Sequence, residues 1–281
     1  MTESAGLLIR RDEAGVATLT LCDERSRNSL SEAMLQALSA ELAAIAADPG
    51  VRAVVLAAEG PVFSSGHHLK EMEAHRNDPD GGRAWVEALM ARCTAVMTAI
   101  VRLPRPVIAA VEGFATAAGC QLVASCDLAV AGADARFCTP GVNLGLFCST
   151  PMVALTRTLA PKHAMEMLLT GEPIDAARAE RIGLVNRVTA PGQALLEAGA
   201  LARRIASRSP EAIAFGKPLF HRQADLPLDE AYAAAGAVMA RNFLGADASE
   251  GIGALLARRE PAWADPGGAR EATSGAGSSG P

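Results

Sequence analysis

Two stretches of this chain place small residues directly ahead of a helix signal: "GPVFSSGHHLKEM" at 60–72 and "VEGFATAAGCQL" at 111–122. The first backbone N–H groups of a helix have no partner inside it, and they sit at the positive end of the helix dipole. Two such N-termini converging on one point would hold a single oxygen between donors from separate loops, which is the arrangement of an oxyanion hole. A small-residue turn before a helix is usually a packing device, so neither stretch is specific alone. The pair, each member following a buried strand, is far more telling. His67 and His68 are the only imidazoles beside the first loop, and a neutral imidazole is a competent base near pH 7. Gln121 ends the second turn, and together with Asn143 it could orient a water or polarise a carbonyl without moving a proton. Of the nearest acids, Glu112 precedes the second turn at a strand end and Asp127 reads as a cap or brace for backbone, so neither is a convincing general acid or base.

Other chemistries lack their residues. "SSGHH" contains a serine but not the G-x-S-x-G elbow. The adjacent histidines diverge and have no third ligand at useful spacing, so no metal site is expected. The six cysteines (22, 93, 120, 126, 138 and 148) show no CxxC spacing and read as reduced structural thiols, Cys138 and Cys148 included. A net charge of −5 argues against nucleic acid as a partner. Arginine clusters at 202–209 and 257–260 read as solvated helix faces. The N-terminus lacks a charged segment leading into an apolar one, and no apolar run reaches the roughly 18 residues of a bilayer span. The expectation is a soluble cytoplasmic protein with no membrane partner.

The elements that must position these loops alternate. Strands at 7–10 and 16–21 flank a turn at 12–15. Ser31 caps a helix whose apolar positions are Met34, Leu35, Leu38, Leu42 and Ile45, ended by "DPG" at 48–50. The strand "VRAVVLAA" follows, then a helix from about 83 to 101, the strand "PVIAAVEG", the second turn with its short helix, and the strand "DLAVAG". Short, wholly apolar strands joined through helices predict a parallel sheet and an α/β core. Beyond Pro151 the expectation is helices at 161–170, 175–182, 193–207, 209–222, 227–244 and 247–258, with "GLVNRV" the one remaining strand. Three segments result: an α/β core at 1–192, a helical C-terminal region at 193–263, and a Gly/Ser/Ala-rich tail at 264–281 expected to be disordered.

Over 7–263 the chain resembles the crotonase (enoyl-CoA hydratase/isomerase) superfamily, through "RNSLS", "VRAVVLAAEGPVFSSGHHLKEM", "RPVIAAVEGFATAAGCQLVASCDLAVA" and "LLTGEPIDAARAERIGLVNRV". More narrowly, "FSSGH", "ATAAGCQLVASCD" and "TPGVNLGLFCSTP" resemble the subgroup called enoyl-CoA hydratase domain-containing protein 3. The resemblance implies a spiral of ββα units with a helical trimerisation region and a homotrimer or dimer of trimers. It also implies an acyl-CoA or enoyl-CoA ligand, with CoA part of the substrate and no separate cofactor. Carried over by position, the hole's donors are the N–H groups of His67 and Ala118, the latter standing where the family usually has glycine. Ser65, Gly66, Gly119 and Asn143 fall among the substrate-binding positions. Arg27 and Lys70 fall near the CoA phosphates, and His68 occupies a loop-bracing position where most relatives carry Asp.

The resemblance also marks a departure. Hydration of an enoyl thioester needs two carboxylates, one to take a proton from water and one to deliver a proton to carbon. In hydratases of the family both are Glu, and the matching positions here are Gln121 and Gly141. An amide does not ionise and glycine has no side chain. The expectation is therefore a CoA-thioester protein that is not an efficient hydratase and acts by hydrolysis, decarboxylation or isomerisation. The alternative is a non-catalytic acyl-CoA binder or a weak hydratase. Gln121→Glu combined with Gly141→Glu is expected to raise hydration.

Overall fold

The structure is a computed structural model, and it describes residues 6–263; the expected tail at 264–281 lies outside the described residues. Strands β1 (Leu8–Glu13) and β2 (Val16–Leu21) form a hairpin whose two turn residues, Ala14 and Gly15, both have positive φ, 49° and 77°. That is the twist a two-residue turn needs to bring right-handed strands together. The expected turn at 12–15 therefore shortens, because β1 runs on through Asp12 and Glu13 to pair with Ala17 and Val16. Helix α1 (Glu32–Ala47) begins at Ser31, whose hydroxyl accepts from Met34 N, and it buries the predicted stripe.

The remaining core alternates between two sheets. Strand β3 (Ala53–Ala58) is followed by β4 (Val62–Ser64) and helix α2 (Leu69–Ala74). After helix α3 (Arg83–Arg102) come β5 (Val107–Val111), β6 (Phe114–Thr116) and helix α4 (Ala118–Ser125). Then come β7 (Leu128–Gly132), β8 (Arg136–Cys138) and helix α5 (Ser149–Thr158). Each turn of the chain thus lays one strand in a six-stranded sheet, one in a four-stranded sheet, and then a helix. With β9 (Ile174–Asp175) and β10 (Arg187–Thr189), the sheet orders are β1-β2-β3-β5-β7-β10 and β4-β6-β8-β9. Pairing is parallel from β2 through β10 in the large sheet, as the unbroken apolar strands predict, and this is the expected ββα spiral. The second sheet escaped the sequence reading. Its strands are only two or three residues long, too short for any hydrophobic period to register.

Helices α6 (Pro161–Thr170), α7 (Ala176–Ile182), α8 (Ala194–Ala206), α9 (Pro210–Gln223), α10 (Leu228–Phe243) and α11 (Ala246–Leu256) fall where expected. They divide sharply by packing. Helix α8 covers the large sheet, burying Ala194, Ala198, Leu201 and Ala202 among Val55, Ala57, Ile108 and Val130. No residue of α9 or α10 is buried as a whole, although the Lys217 side chain on α9 is only 7 % exposed. Lys217 ties α9 to the core: its ammonium donates to Ile100 O, Arg105 O and Asp127 Oδ2, the last at 2.7 Å. Helix α3 is the one described helix long and apolar enough to cross a membrane by length and composition. Its buried side chains Leu89, Cys93, Val96, Met97 and Ile100 lie in the main core.

Candidate functional site: the meeting of two loops

The first loop runs from the end of β4 into α2, and side chains hold it. Asn28 is 1 % exposed, and its amide N–H₂ donates to Glu59 O and Val62 O, both at 2.8 Å. Its amide oxygen accepts from Asp23 N at 2.7 Å. The Ser64 hydroxyl donates to Asn28 O at 2.8 Å, Ser65 N donates to Arg27 O, and Leu30 N donates to Gly66 O. To offer these carbonyls, Arg27 and Asn28 both take left-handed backbone, φ 61° and 51°. Asn tolerates that region better than most residues, and that signal could have singled it out from sequence.

The second loop runs from β6 into α4 and touches the first through backbone. A Cβ built on Gly66, which has φ +82°, would lie 3.1 Å from Ala118 N and 3.0 Å from both Ala117 Cβ and Thr116 O. One on Gly119 would fall 2.3 Å from Ser64 O. Both glycines are therefore required by close approach, and the Thr116 hydroxyl closes the seam by donating to Ser65 O at 3.0 Å. Ala118 opens α4, so its N–H is among those a helix leaves unpaired. The turn is strained: Ala117 sits at φ 49°, ψ −117°, a region that favours glycine. Nothing in the residue type announced this.

The histidines part company. His68 caps α2, its Nδ1 accepting from Glu71 N at 3.1 Å, which is the bracing role expected of its position. His67 instead has a buried Nε2 with no hydrogen-bond partner, and desolvation lowers its pKa to about 4. Gln121 is 5 % exposed, and its Oε1 is likewise buried and unpaired. Gly141 is buried, and a Cβ there would meet Cys148 Sγ at 2.8 Å and Leu146 O at 2.9 Å. A longer side chain at 141 therefore requires the 146–148 segment to shift, which the expected gain of hydration in the Gln121→Glu, Gly141→Glu double variant did not take into account. Asn143 is exposed, with its amide nitrogen packed beside Gly171. Arg27 and Lys70 are exposed, and the Ser65 hydroxyl is engaged by Ser26 O at 3.2 Å.

The neighbouring acids and thiols are structural. Glu112 accepts from Ala194 N at 2.9 Å, capping α8. Asp127 Oδ2 takes Val107 N and the Lys217 ammonium, both at 2.7 Å. Burial pushes Cys138 up to about 11 and raises Cys120 and Cys148 as well, so all three are poor nucleophiles at neutral pH. Among the described residues no cluster of His, Cys, Asp or Glu could hold a metal. Among the described residues around the two loops, the side-chain atoms left buried without a partner are His67 Nε2, Gln121 Oε1 and Ser29 Oγ.

Residues 11–266 match the family described as enoyl-CoA hydratase/isomerase. The rat protein named "Enoyl-CoA hydratase domain-containing protein 3, mitochondrial" is 45 % identical over 253 residues, 90 % of this chain and 83 % of its own length. A probable enoyl-CoA hydratase of Rhizobium meliloti is 34 % identical, over 90 % of this chain and 96 % of its own. Among solved structures, an enoyl-CoA hydratase of Mycobacterium smegmatis matches with TM-score 0.86 at 53 % identity, covering 92 % of this chain and 98 % of that one. Human enoyl-CoA hydratase domain-containing protein 3 matches with TM-score 0.86 at 43 % identity, covering 92 % of this chain and all of that one. These names overturn one expectation: the rat, frog, mouse, zebrafish and human relatives are all named mitochondrial, so the cytoplasmic assignment is withdrawn. The fold, the two glycine-lined loops and these matches together show that the chain belongs to the enoyl-CoA hydratase/isomerase family.

Proposed function

We propose that this protein binds a CoA thioester with its carbonyl on the N–H groups of His67 and Ala118, and acts on it by chemistry that needs no carboxylate pair. The observation that carries this reading is the close approach of the two loops, tight enough that a Cβ on Gly66, which precedes α2, would lie 3.1 Å from Ala118 N at the start of α4. Hydration is the reaction it argues against. Gln121 cannot titrate, Gly141 has no room for a side chain, and Glu112 and Asp127 are spent on α8 and β5. Losing two acid–base groups removes roughly 10²- to 10⁴-fold each, while a hole donor retains on the order of 10²- to 10³-fold. Hydrolysis, decarboxylation and isomerisation all draw on a polarised carbonyl. Arg27 and Lys70, both exposed, are the cations proposed for the CoA phosphates.

A second reading, a non-catalytic acyl-CoA binder, is favoured by the absence of an available carboxylate at positions 121 and 141. Oligomerisation belongs to either reading: Phe220, Tyr232, Met239, Phe243, Leu255 and Leu256 are exposed on α9, α10 and α11, apolar surface that supports self-association, and the homotrimer or dimer of trimers that the resemblance implies is the assembly proposed. The deciding experiment incubates the protein with enoyl-, malonyl-, hydroxyacyl- and saturated acyl-CoAs and follows mass. Free CoA or loss of CO₂ supports the enzyme. Measurable thioester binding with no mass change and no double-bond shift in the ultraviolet spectrum of the enoyl-CoAs supports the binder, and efficient water addition to crotonyl-CoA would overturn both.

A further inference from the structure

The segment that offers His67 N–H runs straight into α2, and none of that helix's residues is buried. A helix of six residues has too few internal hydrogen bonds to hold its own direction in water. Met72 packs against the core while staying partly exposed, so the rest of the hold must come from contacts at the helix's two ends. At the near end, Leu30 N donates to Gly66 O at 2.8 Å, and Leu30 pairs with His67 in an isolated parallel bridge. Two residues on, Glu32 N donates to Glu71 Oε2 at 3.2 Å, so the start of α1 runs beside the first loop and on to α2.

The far end is closed by a stack. The His75 ring, which ends α2, lies on the Trp85 indole of α3 with centroids 4.1 Å apart and planes 14° from parallel. His75 Nδ1 is 2.7 Å from Asp78 Oδ2, and the backbones also meet: a Cβ on Gly82, at φ +82°, would fall 2.5 Å from His75 O. Trp85 Nε1 donates to Glu32 Oε2 at 3.3 Å, and Arg92 pairs with the same carboxylate. Glu32 thus joins three helices, through its N–H to Glu71 and through its carboxylate to Trp85 and Arg92. With Gly66 pinned, freeing the far end lets α2 pivot about the first loop. His67 N–H lies beside that pivot, so it loses direction more than place, and a hydrogen bond weakens steeply with misalignment. We infer that the Glu32–Trp85–His75 clasp aims the His67 N–H, which makes Trp85 and His75 positioning residues for the proposed hole, although neither belongs to its loops. This rests on the thioester reading of those loops.

The test titrates butyryl-CoA against S-butyl-CoA, the thioether with CH₂ in place of the carbonyl, so that their affinity ratio reads the hole's donors and cancels the rest of the ligand. The wild type is expected to prefer butyryl-CoA by about tenfold. In Trp85→Leu and His75→Ala that preference is expected to fall below about threefold, with S-butyl-CoA affinity kept within about twofold. Trp85→Phe keeps a ring against His75 and is expected to retain the preference; a loss as large as in Trp85→Leu would overturn the role of the stack. The His75 side chain is 34 % exposed, so His75→Ala guards against Trp85→Leu failing to fold. A preference unchanged in both variants, or affinity for both ligands falling alike, would overturn the positioning role and leave the hole standing. A wild type that binds the two ligands equally would remove the hole itself, and this inference with it.

Discussion

The two loops that meet at Gly66 and Ala118 are built in opposite ways. The first is pinned from outside by Asn28, Ser64 and Ser65, which tie β4 to the 23–28 segment through side-chain hydrogen bonds. The second has one such bond at the seam, from Thr116, and is shaped instead by the body of β6, by α4 and by a strained Ala117. A backbone N–H can thus be aimed by side-chain hydrogen bonds or by enforced dihedrals. The difference tells where each loop is vulnerable.

The largest effect is expected where the loops touch. Gly66→Ala adds a methyl between Ala117 and Ala118 N at a positive φ, so a loss of roughly 3–5 kcal/mol in unfolding free energy and of thioester binding is expected in chemical denaturation and titration. Next comes the first loop's clamp. Asn28→Ala abandons three hydrogen bonds at a left-handed position and is expected to cost about 2–4 kcal/mol; a loss under 1 kcal/mol would mean that the clamp does not hold the loop.

The third effect is one of pH. An unfolded histidine titrates near 6.5, whereas burial lowers His67 to about 4, so on acidification the unfolded chain takes the proton first. The stability carried by neutral His67 is complete above about pH 6.5 and drains away as pH falls toward 4. Between pH 7 and 5 the wild type is expected to lose about 2 kcal/mol more than His67→Leu, and parallel pH profiles would contradict it. The smallest effect has the opposite sign. Ala117→Gly relieves the second loop's strain and is expected to stabilise by about 1 kcal/mol. Unchanged or reduced stability would show that the turn is not strained.

Much of this comparison was legible in the residues. Short, wholly apolar strands pointed to the large parallel sheet, Ser31 to the start of α1, and the small-residue runs to both loops. Gln121 and Gly141 drew notice only through the family resemblance, which implies carboxylates at those two positions. Other features were hidden for definable reasons. The second sheet's strands are shorter than any periodicity. Whether His67 or His68 carried the free imidazole depended on which one capped α2, a matter of three-dimensional direction. That Gly141 is closed by Cys148 and Leu146 O is a contact within a loop, and no spacing encodes it. The left-handed Ala117 has the wrong residue type for its conformation, so sequence pointed away from it.

The central claim is that two backbone N–H groups polarise a thioester carbonyl in a site without paired carboxylates. Difference infrared spectroscopy of a thioester labelled with ¹³C at its carbonyl tests it most directly. A carbonyl band moved to lower frequency on binding, with no hydrated product forming on crotonyl-CoA, is the predicted result. An unshifted band, or rapid hydration, would contradict the account.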